Sequence, residues 1–122
     1  MEEREIWKPI QGFENYYEVS NWGNVKSKER TIIKSNGAFH RRKEKILTPH
    51  RNRKNNMLQV MLIVHKRYKL CYVHRLVAEA FVENPHNFIN VTHLNGDDHD
   101  NRAVNLQYIS KSHKLNKKLN LN

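Results

Sequence analysis

Apolar sequence in this chain is concentrated in one block, and that block limits the folds open to it. Met57 to Val64 is an apolar run broken only by Gln59, and Leu70-Cys71-Tyr72-Val73 is a second, shorter run. Their lengths and β-branched content predict a β-hairpin, with His65-Lys66-Arg67-Tyr68 as its basic turn. Val73, Leu76, Val77, Ala80 and Phe81 then recur at helical spacing until Asn84-Pro85 ends the pattern, which predicts an amphipathic helix over residues 74–83. Hairpin and helix should supply most of the core. With 122 residues the chain suits one domain or two very small modules. A chain of that size buries roughly two-thirds of its unfolded surface.

The flanks read differently. Before the block, Tyr16 to Ser20, Asn21-Trp22-Gly23-Asn24 and Val25-Lys26-Ser27 alternate extended pieces with turn residues, which predicts a small β-rich module. Trp7, Phe13, Tyr16, Tyr17 and Trp22 are expected to form its core, since so short a module has few other large side chains to bury. Residues 34–56 are rich in Lys, Arg and Asn with few apolar anchors, so they are expected to be a basic loop or linker, ordered on a partner. After Pro85, Phe88 to Thr92 and Leu106 to Ile109 predict two strands around a Gly/Asp/Asn-rich loop. Ser110 or Ser112 is then placed to cap a short final helix carrying His113. The expected division is 1–50 for the N-terminal module with its basic connector and 55–122 for the C-terminal unit.

Charge is as uneven as hydropathy. Residues 1–25 carry a net −3, residues 26–54 a net +9 and residues 55–122 a net +4. The basic surface expected from Lys26, Lys28, Arg30, Arg41, Arg42, Lys43, Arg51, Arg53 and Lys54 selects a phosphate-bearing partner, and nucleic acid first. An anionic membrane would call for an amphipathic helix with aromatic anchors, and this segment lacks helical apolar periodicity. No apolar run reaches the ~20 residues that span a bilayer, and the acidic start is unlike a signal peptide, so a soluble, intracellular protein is expected. Cys71 is the only cysteine, which excludes an intrachain disulfide and a thiolate zinc finger.

Three stretches then become recognisable: V-H-R-L-V-A-E-A-F at 73–81, V-T-H-L-N-G-D at 91–97 and N-R-A-V-N-L-Q-Y at 101–108. Together they resemble HNH endonucleases of the homing and phage type. The stretch from Ile6 to Ser27 resembles the small module that often precedes such a nuclease and contacts DNA. The resemblance implies an α+β chain in which the N-terminal β-rich module is followed by a hairpin and helix leading into a C-terminal ββα-metal nuclease fold. It implies divalent-metal-dependent hydrolysis of double-stranded DNA by nicking or cleavage, leaving 5′-phosphate and 3′-hydroxyl ends.

The same resemblance distributes roles. His93 is the general base, a task suited to an imidazole that exchanges a proton near neutral pH. Asn105 matches the central asparagine and would brace the histidine strand. Gly96 would give the tight turn, and Asn101 would tie the loop through side-chain hydrogen bonds. Thr92 and His113 are the expected ligands of one cation, magnesium or alternatively manganese. Arg75 and Arg102 flank the site and would clamp phosphate. Thr92 stands where the family commonly has Asp or Asn, and Lys114 aligns where it commonly has Asn or His on the last helix. Asp97, Asp98 and Asp100 add carboxylates to the loop. These departures keep open a catalytically weakened, DNA-binding descendant, or a structural accessory using the same fold. One site per chain suits a nicking monomer; double-strand cutting would call for a weak dimer or two successive events.

Overall fold

The structure is a computed structural model in which residues 4–110 are described. The expected final helix, with His113 and Lys114, lies outside those residues. Strands dominate the described chain. β1 (Trp7–Pro9), β2 (Tyr17–Ser20), β3 (Val25–Ser27) and β6 (Lys45–Ile46) form an antiparallel sheet in that order. β4 (Arg30–Ile33) and β5 (Phe39–Arg42) form a separate two-stranded ribbon. β7 (His50–Arg51), β8 (Leu58–Val64) and β9 (Arg67–Tyr72) make a three-stranded sheet, followed by α1 (Val73–Phe81). The pair β10 (Asn90–His93) and β11 (Leu106–Ile109) closes the described chain.

The expected hairpin and helix are both present. The hairpin turns on His65 and Lys66, whose φ of 49° and 66° are the left-handed values a two-residue hairpin loop demands. The turn is therefore shorter than the sequence suggested, and Arg67 and Tyr68 already belong to β9. The helix runs from Val73 to Phe81, slightly earlier than expected, and buries Val73, His74, Leu76, Val77 and Ala78. Asn84 organises the turn that follows: its Oδ1 accepts from Phe88 N at 2.8 Å and its Nδ2 donates to Phe88 O at 2.9 Å.

Two expectations need correction. Residues 34–56 are not a structureless linker, because β5, β6 and β7 fall within them. The ribbon is held by four cross-strand pairs, from Arg30↔Arg42 to Ile33↔Phe39. Its β5 strand is exposed along its whole length, so no apolar alternation marks it as a strand. The second correction concerns the aromatics. Tyr17 is buried and Phe13 and Tyr16 pack on the core, but Trp22 is 48% exposed and Trp7 lies beneath the Lys26 ammonium, 4.3 Å from the ring centroid. Aliphatic residues do much of the filling instead.

One hydrophobic cluster runs across the expected division between 1–50 and 55–122. Ile10, Tyr17, Val19 and Val25 join Val60, Leu62 and Cys71 of the hairpin and Val73, Leu76 and Val77 of the helix. Tyr17 also joins the sheets by hydrogen bonds. Its hydroxyl donates to Ile63 O at 3.1 Å and accepts from Ile63 N at 3.0 Å, so β8 is paired at a point β7 does not reach. No helix of the described residues is long and apolar enough to cross a membrane.

Candidate active site

His93 is the last residue of β10, opposite Leu106 of β11, and is 5% exposed. The pairing holds its backbone, and the loop it enters is closed by Leu94 N donating to Asn105 O at 2.8 Å. Asn105 then spans the loop with its amide. Its Oδ1 accepts from Asn95 N at 3.0 Å, while its Nδ2 donates to Asn95 Oδ1 at 3.0 Å and Asp100 O at 2.8 Å. The polar composition of residues 95–105 therefore serves the loop itself, since short amide and carboxylate side chains cap neighbouring backbone N–H groups. Asp97 N donates to Asn95 Oδ1 and His99 N to Asp97 Oδ1, both at 2.9 Å. Gly96, at φ 77°, makes the turn directly behind the histidine.

The imidazole is held by a hydrogen bond at one nitrogen and faces a carboxylate at the other. Its Nε2 lies 2.7 Å from Asn101 Oδ1, in a buried contact. An amide oxygen only accepts, so Nε2 carries the proton and Nδ1 keeps its lone pair. On that second edge the Asp98 carboxylate stands 3.8 Å from Nδ1. The gap exceeds a direct hydrogen bond. His74, from the first turn of α1, packs on His93 with ring centroids 5.2 Å apart, and Tyr72 packs on His74 in turn at 5.4 Å. The sequence marked Asn101 only as a loop residue. It did not reveal that Asn101 bonds the His93 ring, although the two lie only eight residues apart in sequence.

Other residues on or beside the loop sit as follows. Thr92 is half-buried on β10, on the opposite side of the strand from His93 by the alternation of extended chain. Arg102 binds Asp100 through two parallel bonds, Nε to Oδ1 at 2.8 Å and Nη2 to Oδ2 at 2.7 Å. That guanidinium, helped by the Asn95 amide, lowers the Asp100 carboxyl from its ordinary 3.8 to about 2. Arg75 Nη1 donates to Ile89 O at 2.6 Å, bracing the approach to β10. His99 Nε2 is 2.8 Å from Asn56 O.

The basic residues divide into two groups. Lys26 is drawn inward by Glu44 at 3.2 Å and Glu18 at 3.6 Å, and Arg41 is paired with Glu29. Lys28 donates to Glu14 O at 3.4 Å, Arg30 lies over the Tyr16 ring, and Arg51 reaches Asn56 Oδ1 at 3.4 Å. Arg42, Lys43, Arg53 and Lys54 are exposed. The described oxygen donor near His93 is the Asp98 carboxylate, a hard ligand of the kind that suits a divalent cation. Among the described residues no group of three His, Cys, Asp or Glu side chains converges on one point.

With this geometry in place, comparison with known proteins shows that the chain is a relative of HNH endonucleases. Its residues 5–63 match the NUMOD4 motif, so the resemblance drawn from the sequence holds for both parts. An uncharacterised HNH endonuclease of Acanthamoeba polyphaga mimivirus is 39% identical over 115 residues, covering 88% of this chain and 24% of that protein. The DNA endonuclease I-HmuI of Bacillus phage SP01 is 31% identical over 105 residues, covering 86% of this chain and 52% of its own. The solved structure titled "DNA binding and cleavage by the HNH homing endonuclease I-HmuI" superposes with a TM-score of 0.74 at 28% identity, over 93% of this chain and 57% of that one. The chain thus spans about a quarter to a half of the length of these curated relatives.

Proposed function

We propose that the chain is a metal-dependent HNH endonuclease that nicks double-stranded DNA, with His93 as general base, leaving 5′-phosphate and 3′-hydroxyl ends. The observation that carries this reading is the orientation of His93. Asn101 occupies Nε2 and leaves the Nδ1 lone pair beside the Asp98 carboxylate. Nδ1 takes a proton from the attacking water, and the imidazolium so formed is stabilised by Asp98 on one side and by the Asn101 oxygen on the other. Burial of the ring keeps bulk water from competing for that proton. Asn105 holds the loop so that neither partner drifts.

Asp98 is the described oxygen donor that would hold magnesium or manganese, with Thr92 and His113 as the further ligands the sequence suggests. When bound, the cation supplies charge stabilisation at the scissile phosphate and the departing 3′ oxygen. Exposed Arg42, Lys43, Arg53 and Lys54 bind the duplex backbone, in keeping with a solved relative whose title describes DNA binding and cleavage. The β10–β11 pair and the helix expected beyond Ser110 would form the ββα-metal unit, and residues 1–50 the DNA-contacting module.

Plasmid relaxation tests the proposal. Supercoiled plasmid should become nicked circle with magnesium or manganese and stay intact with chelator, and the nick should be sealed by ligase without prior end repair. Binding with a steep salt dependence but no metal-dependent nicking would instead make the chain a DNA-binding descendant of such nucleases.

A further inference from the structure

We propose that the turn Asn21-Trp22-Gly23-Asn24 of the N-terminal module is a seat for Asn101, and through it sets the orientation of His93. The inference rests on His93 as the base. Gly23 has φ 92°, and a Cβ there would lie 3.0 Å from Asn101 O, 3.1 Å from its carbonyl carbon and 3.1 Å from its Cβ. The turn therefore packs against Asn101 through bare backbone, and a side chain there would press on Asn101 by a few tenths of an ångström. Asn101 is 5% exposed and bonds His93 at 2.7 Å, so two contacts lead from Gly23 to the imidazole.

The seat is built to hold position. Ser20 Oγ accepts from Trp22 N at 3.2 Å and Asn24 N at 3.1 Å, and Gly23 N donates to Ser20 O at 3.1 Å. Asn21 O accepts from Ala103 N at 2.8 Å, two residues beyond Asn101, which fixes the far side of the same loop. Asn21 is itself anchored, its Oδ1 accepting from Ile6 N at 2.7 Å and its Nδ2 donating to Arg4 O at 2.9 Å. Gly23 and Asn21 are thus positioning residues that act through the Asn101 loop. A module recognisable as a DNA-contacting appendage also shapes the catalytic centre.

The test compares Gly23→Ala with Gly12→Ala. Gly12 has φ 87°, and nothing lies within 4 Å of a Cβ placed there, so its variant carries similar backbone strain without a contact. In metal-free protein with ¹⁵N-labelled histidine, the His93 ring signals, assigned by their disappearance in His93→Ala, should move in Gly23→Ala and not in Gly12→Ala. Single-turnover nicking should slow by roughly 10-fold in Gly23→Ala with DNA affinity within about twofold of wild type, as expected when Asn101 must give by a few tenths of an ångström beneath the base. Unchanged His93 signals in a folded Gly23→Ala would overturn the proposal. If that variant does not fold, Ser20→Ala loosens the turn without adding an atom against Asn101, and its His93 signals must likewise move. The spectroscopic arm needs neither metal nor substrate, so it stands even if His93 proves not to be the base.

Discussion

Replacing Asn101 by alanine removes the acceptor 2.7 Å from His93 Nε2, and with it the bond that selects the tautomer. Nicking should fall by roughly 10²-fold or more while DNA retention is kept, a split that single-turnover rates and filter binding would measure. Equal reductions in both would make Asn101 merely structural. Asp100 carries a second prediction. Its carboxyl is lowered to about 2 by Arg102, so its contribution to stability is complete above the ordinary 3.8 and is lost as pH falls through about 2. In Arg102→Ala the Asp100 titration, followed by ¹³C carboxyl shifts, should rise toward 3.8. An unmoved titration would show that the loop backbone and Asn95, not Arg102, hold the carboxylate. Thr92→Asp should tighten magnesium binding if residue 92 reaches the cation, by restoring a charged oxygen ligand.

Among the elements, β8 and the ribbon make contrasting predictions. Leu62 is fully buried in β8, so Leu62→Ala should cost about 2–5 kcal/mol in urea unfolding. Tyr17→Phe leaves Ile63 N–H and C=O without the hydroxyl that pairs them, at a cost of about 1–3 kcal/mol. Arg42→Ala with Lys43→Ala, on and beside the exposed β5, should leave stability alone. It should lower the salt slope of DNA binding by ~0.9 for each phosphate that the variant no longer neutralises. Which elements the sequence disclosed follows from the same contrast. β8 and α1 each bury one side, and the apolar runs of the hairpin and the helical spacing of α1 announced these elements. β5 is exposed throughout, and β6 and β7 have two residues each, so their strand character comes from pairing partners rather than from pattern. His93, Asn105 and the loop were legible because their spacing is local. The approach of Gly23 to Asn101 was not, because the two are far apart in sequence and only the folded chain brings them together.

Over the whole molecule, one hydrophobic cluster links the N-terminal sheet to the hairpin and helix, and the Asn21–Gly23 turn meets the loop that bears the proposed base. DNA bound to the basic segment would therefore lie on a body continuous with the catalytic centre, so that binding and positioning are not separable by cutting the chain near residue 50. That continuity leaves the central claim resting on one side chain. Single-turnover nicking of plasmid DNA, with protein in excess and magnesium or manganese present, compares wild type with His93→Ala free of any difference in product release. The account predicts a rate constant lower by about 10²–10⁴-fold in His93→Ala at unchanged DNA affinity, the range a general base supplies. Equal rate constants for the two proteins would contradict it.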